Sequence, residues 1–134
     1  MRNMNQITRA GRLGIRILAS LTLVAGASMA SAHHGWSWAD GEQTTLVGTI
    51  ESISMAPPHP TLKVKSREGQ SWQVDLGNPT QTERSGFAAG TAKAGDPITV
   101  LGNRHKDASV MQLKAVRVTL DGKNYDMYPE RIRK

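Results

Sequence analysis

Four histidines hold most of the coordination chemistry open to this chain: His33 and His34 side by side, His59 between Pro58 and Pro60, and His105 between Arg104 and Lys106. Cysteine is absent, which removes thiolate zinc sites, blue-copper sites and cysteine nucleophiles. A transition metal would have to take imidazole, carboxylate, thioether or backbone nitrogen. The cations beside His105 count against it as a ligand. Met55, Met111 and Met127 could serve Cu(I) as soft donors, but Met111 falls in an apolar alternation and reads as packing.

What His33 can do depends on where the finished protein begins. Residues 1–32 contain Arg2, Arg9, Arg12 and Arg16 and no acid. An apolar run, ILASLTLVAGA (17–27), follows, and then small residues ending Ala30-Ser31-Ala32. This is the pattern of a cleaved secretory signal peptide. The run is about half of the roughly 20 residues that cross a bilayer, so no stable membrane anchor is expected. No Arg-Arg pair occurs, which points to the general secretory route and a periplasmic or secreted protein. Ala25-Gly26-Ala27 offers an earlier cut, but the distance beyond the apolar run favours cleavage after Ala32. His33 then becomes residue one.

A histidine in that position offers its α-amine and ring Nδ1 as a chelating pair. A third nitrogen from another histidine gives a T-shaped, nitrogen-only site, the brace-like geometry that suits Cu(II), and copper tops the divalent affinity order. The amine and the imidazole both release protons near neutrality. His34 adds a second mode, through the amine, the intervening amide and its imidazole. The motif that needs histidine in third place is not available, because that place is Gly35. An 11-residue arm, 33–43, could reach about 36 Å at roughly 3.3 Å per residue, enough to bring His33 to His59.

Charge excludes another class of partner. The chain carries 17 Lys plus Arg against 11 Asp plus Glu, but with the four leader arginines set aside the excess is only two. No basic stripe with interleaved aromatics remains to follow a phosphate backbone, so no nucleic acid is expected. Nor is there a nucleophile elbow or a phosphate-cradling glycine loop. Catalytic residues are not assigned.

The elements that must position the histidines are strands. TTLVGTIESIS (44–54), TLKVKS (61–66), SWQVDL (71–76), PITVLG (97–102) and VMQLKAVRVTL (110–120) each alternate apolar and polar residues. In the last, the alternation slips from Met111, Leu113 and Ala115 to Val116, Val118 and Leu120, which predicts a bulge near 115–116. MAPPHP (55–60) is a proline-stiffened loop, and Gly69 and Asp121-Gly122 mark turns. Asn78-Pro79 is an N-cap followed by proline at the first helical position, predicting a short helix to Ser85 with Gly86 as its stop. Residues 124–134 read as a short edge strand or tail. Trp36 and Trp38 are placed to pin the arm to the domain.

Three strands, a short helix and two strands give an all-β class: a five- or six-stranded OB-like barrel over 44–134, in which the loops after the first and fourth strands flank the binding face. A small β-sandwich is the other architecture considered. The chain also resembles a family of small exported bacterial proteins with a domain of unknown function, number 6152. The resemblance rests on Ala32-His33-His34, Gly48-Thr49-Ile50, Pro58-His59, Trp72-Gln73-Val74-Asp75-Leu76-Gly77 with Pro79, Gly86-Phe87, and Gly95-Asp96 with Ile98-Thr99-Val100. Where that family has Asn-Pro-His this chain has Pro57-Pro58-His59, and Met55 stands in place of an aromatic. The resemblance implies an OB-like barrel and export, and brings no activity.

The expected function is therefore an exported module that holds copper through His33, His34 and His59 and handles or delivers it without turnover. The competing expectation is a metal-free periplasmic interaction module that takes a small ligand or a protein partner on the OB face. A copper oxidase or monooxygenase is the remote third.

Overall fold

Leu46 and Ile50, Leu62 and Val64, Trp72 and Val74, Ile98 and Val100, and Leu113 and Ala115 are all buried in one apolar cluster, and the strands exist to bring them there. The computed structural model describes residues 35–133. The expected signal peptide, together with His33 and His34, lies outside the described residues. Within them the order is β1 (Ala39–Ser54), β2 (Thr61–Ser66), β3 (Ser71–Asp75), α1 (Pro79–Arg84), β4 (Pro97–His105), β5 (Gln112–Leu120), β6 (Lys123–Asp126) and a 3₁₀ turn at Pro129–Arg131.

The hydrogen-bonded strand order is β3-β2-β1-β4-β5-β6, with a further β3–β5 pairing. All pairs are antiparallel except β3–β5, which is parallel. That pairing closes a circuit β1-β2-β3-β5-β4-β1, the connectivity expected of an OB-type sheet, with β6 added outside it. The closure is short: Gln73, Val74 and Asp75 lie opposite Gln112, Leu113 and Lys114.

Two bulges interrupt the ladders of this circuit. On β5, Leu101 faces Arg117 while Gly102 faces Ala115, so Val116 is the extra residue, where the alternation slips. Ala115 and Val116 are consequently both buried. On β1, Glu51 is extra between Ile50↔Val64 and Ser52↔Lys63. Gly102 sits beside the first bulge because nothing larger fits: a Cβ there would lie 2.3 Å from the Lys114 carbonyl oxygen.

β1 starts at Ala39, five residues before its apolar alternation begins. Residues 39–43 are held by pairing of Ala39 with His105 and Gln43 with Asn103. The Asn103 amide spans the irregularity between them, donating to the carbonyls of Asp40 and Glu42 at 2.8 and 3.1 Å. β4 runs three residues further than its apolar pattern for the same reason.

α1 forms as its caps dictate. The Asn78 side chain accepts from the Gln81 amide at 2.8 Å, Gln81 reaches back to the Asn78 amide, and Pro79 opens the first turn. Gly86, at φ +91°, ends it. Phe87, just beyond, is the largest fully buried side chain and stands edge-on to Tyr125 with ring centroids 5.7 Å apart. Truncating such a residue to Ala costs about 3–5 kcal/mol.

Candidate functional site

The parallel closure that completes the sheet also builds a polar face. Because Asp75 pairs with Lys114 and Gln73 with Gln112, four polar side chains meet on the outer surface of β3 and β5. Asp75 is 3% exposed. Its two oxygens accept from Gln73 Nε2 and Gln112 Nε2, each at 2.9 Å. Lys114, 4% exposed, donates from Nζ to the Leu76 carbonyl at 2.8 Å. Burial lowers the Lys114 pKa from its ordinary value, and the Asp75 carboxylate acts in the opposite sense.

His59 joins this cluster from the loop between β1 and β2. Two residues on, Thr61 pairs with Asp75, and the Pro60 carbonyl accepts from the Leu76 amide at 2.9 Å. The loop is thereby tied to the end of β3. His59 Nε2 lies 3.3 Å from Asp75 Oδ2, with about a third of the His59 side chain exposed. A carboxylate at that nitrogen favours the tautomer with hydrogen on Nε2 and leaves the Nδ1 lone pair for a ligand, the support that metal-binding histidines commonly have.

Aromatic residues roof the lysine. Trp36 stands edge-on to Tyr128, centroids 4.9 Å apart and planes at 77°. Arg131 lies 4.0 Å from the Trp36 ring centroid. Lys114 Nζ is 5.9 Å from the Trp36 centroid and 5.6 Å from that of Tyr128. Burial raises the Tyr128 hydroxyl pKa; Arg131 opposes this and Glu130 adds to it.

Between these groups lies an open cleft of about 470 Å³, with Gly35 and Trp36, His59, Lys114, Tyr128 and Arg131 among its walls. It brings His59 together with the first two described residues of the chain. His105 is elsewhere: it stacks on Trp38, centroids 5.6 Å apart and planes at 18°, and its Nδ1 accepts from the Asp107 amide at 3.0 Å. His105 is the last residue of β4, paired with Ala39, and not part of a loop, and it does not line the cleft that holds His59. Trp36 and Trp38 both pin the segment before β1, as their sequence position suggested.

Of the three histidines proposed as ligands, only His59 is among the described residues. Among those residues no group of three or more His, Asp or Glu could hold a metal ion. Residue type and spacing alone do not single out Asp75, Lys114, Tyr128 or Arg131 as site residues. The one available signal was a lysine inside the apolar run LKAV on β5, whose outward position needs a cover.

No curated protein matches this chain. A family model described as a family of unknown function (DUF6152) matches residues 20–114. The match takes in β1 to β4, the cleft residue His59 with Asp75 behind it, and reaches Lys114. It covers well over half of the sequence, and the chain belongs to that family of unknown function.

Proposed function

We propose that the protein, in a form beginning at His33, holds a copper ion at the mouth of the Trp36–His59 cleft and handles or delivers it without turnover. One observation carries the reading: Gly35 and Trp36 line the same cleft as His59. The two residues that precede Gly35 in sequence are His34 and His33, and two residues span at most about 7 Å of chain. The α-amine and imidazole of residue 33, or the amine, amide and imidazole of residues 33 and 34, would supply the chelate. His59 would add the further nitrogen. A nitrogen-only set of this kind selects Cu(II).

Lys114 and Arg131 bring two positive charges to the cleft, and Asp75 behind His59 and Glu130 on the wall bring two negative ones, so the fixed charges cancel and leave the choice of ion to the nitrogen donors. Signal cleavage after Ala32, with the periplasmic or secreted location that it implies, is part of the proposal.

The experiment is copper titration of the protein whose first residue has been fixed by intact mass. Tight binding is expected for the form starting at His33. It should be lost in His33→Ala and when a tag blocks the amine, and weakened in His59→Ala. Equal affinity with the amine blocked would overturn the reading. The size of the cleft and its Trp36–Tyr128 wall also favour a metal-free module that takes a small ligand or a periplasmic partner protein. Absence of tight copper binding in every form would select that alternative.

A further inference from the structure

An aspartate side chain closes on the main chain with least hindrance when glycine follows it, because the attacking nitrogen then belongs to a residue without a Cβ. This chain has two such pairs, Asp40-Gly41 and Asp121-Gly122, and the fold holds them differently. Asp121 and Gly122 form the tight turn between β5 and β6, at φ +48° and +75°, with Leu120 and Lys123 paired across it. Asp40-Gly41 lies where β1 departs from its ladder. Ala39 faces His105 and Gln43 faces Asn103, so Asp40, Gly41 and Glu42 together stand opposite Arg104 alone, as an exposed bulge.

Two contacts meet at the first pair. The Gly41 N–H donates to Asp40 Oδ1 at 2.5 Å. With a carbon–oxygen bond of about 1.2 Å, the carboxyl carbon then lies within about 3.7 Å of that nitrogen, close to the roughly 3–3.5 Å of a near-attack geometry. The Asp40 carbonyl, in the same peptide unit as that nitrogen, accepts from Asn103 Nδ2 at 2.8 Å. A donor on this oxygen draws electron density from the attached nitrogen and makes its N–H more acidic. Among the described residues neither contact has a counterpart at Asp121-Gly122.

We propose that Asp40 is a self-modifying site, which forms a cyclic imide with Gly41 and reopens as isoaspartate. The Gly41 nitrogen bonds to Asp40 Cγ while the Cγ–Oδ1 bond breaks. Oδ1 leaves as water, carrying the amide hydrogen already directed at it and the proton of the neutral carboxyl group. Water then adds to one of the two imide carbonyls. Opening at Cγ restores aspartate; opening at the main-chain carbonyl leaves Gly41 joined through Cγ, which is isoaspartate, with one more carbon in the main chain and no net change in mass. The carbonyl that Asn103 holds becomes a free carboxylate, and the lead into β1 lengthens.

The folded protein, kept in heavy-oxygen water at mildly acidic pH, tests this. Residues 40 and 121 are followed in proteolytic peptides by mass, with electron-transfer fragmentation to tell isoaspartate from aspartate. Every reopening leaves one heavy oxygen in the residue. Label and isoaspartate are expected at Asp40 about fivefold or more faster than at Asp121, the rate effect of one net hydrogen bond. In urea-unfolded protein the two pairs share the same chemistry, and the difference should vanish. Gly41→Ala places a methyl group where nothing lies within 4 Å, so the fold stays; it should suppress the reaction at residue 40 and leave Asp121 unchanged. Equal rates at the two residues in the folded protein, a difference that survives unfolding, or Gly41→Ala labelled as fast as wild type would overturn the proposal. None of these outcomes bears on copper.

Discussion

Replacing Lys114 by Met removes a buried ammonium without opening a void, and the structure says how the pH dependence of stability should respond. Burial holds the lysine below its ordinary pKa of 10.5, so the folded protein binds this proton more weakly than the unfolded chain does. Between the folded value and 10.5 the unfolded state therefore holds more protons, and unfolding free energy rises with pH. For one proton the slope is at most about 1.4 kcal/mol per pH unit. Tyr128 acts in reverse. Burial raises its hydroxyl above the ordinary 10.0, so the folded state keeps a proton that the unfolded state releases, and stability falls as pH climbs through and beyond 10.0. The wild-type protein should gain stability on approaching that value and then turn downward. Lys114→Met should lack the gain and keep the decline. Urea unfolding from neutrality to about pH 11 measures both curves, and a 1 kcal/mol difference moves the melting temperature of a domain this size by roughly 4–8 °C. Surface groups common to both proteins cancel in the comparison. Parallel profiles would refute the account of Lys114 as a buried cation whose desolvation is carried by the fold.

Two further substitutions test the backbone. Gly102→Ala places a methyl group 2.3 Å from the Lys114 carbonyl, which only backbone movement can relieve. Destabilisation at or above about 1–3 kcal/mol, the usual cost of overpacking, should appear as a lowered urea midpoint. Asn78→Ala removes the acceptor for the Gln81 amide and breaks the reciprocal cap of α1, and a loss of about 0.5–2 kcal/mol is expected in thermal melts.

The strands were legible wherever alternation is strict, since one face must enter the core at a period of two. Even the bulge at Val116 could be read, because an extra residue switches the buried parity from Ala115 to Val118. Asn78-Pro79 and Gly86 marked α1 through local chemistry alone. What escaped was everything that depends on pairing between distant strands. ADGEQ (39–43) has no apolar rhythm and extends β1 only because Asn103 and His105 stand opposite it. The polar face beside the cleft exists because β3 and β5 pair in one register, and a shift of one residue would put Asp75 and Lys114 on opposite sides. His59 could be singled out by its prolines and Lys114 could not, since a strand lysine reads as solvated until Trp36 and Tyr128 are known to cover it.

The last residues of the chain hold the first described ones. Tyr128 and Arg131 clasp Trp36, the Gln43 amide nitrogen donates to the Arg131 carbonyl at 2.5 Å, and Arg133 donates to that of Gly41 at 2.6 Å. In a polypeptide made from its amino end, Trp38 can dock on His105 and Ser37 on Lys106, but Trp36 gains its Tyr128 and Arg131 contacts only when synthesis has passed Arg131, 95 residues later. Loops that long close late and at an entropic cost. The segment before β1 is thus fastened in two stages, at Trp38 first and at Trp36 last.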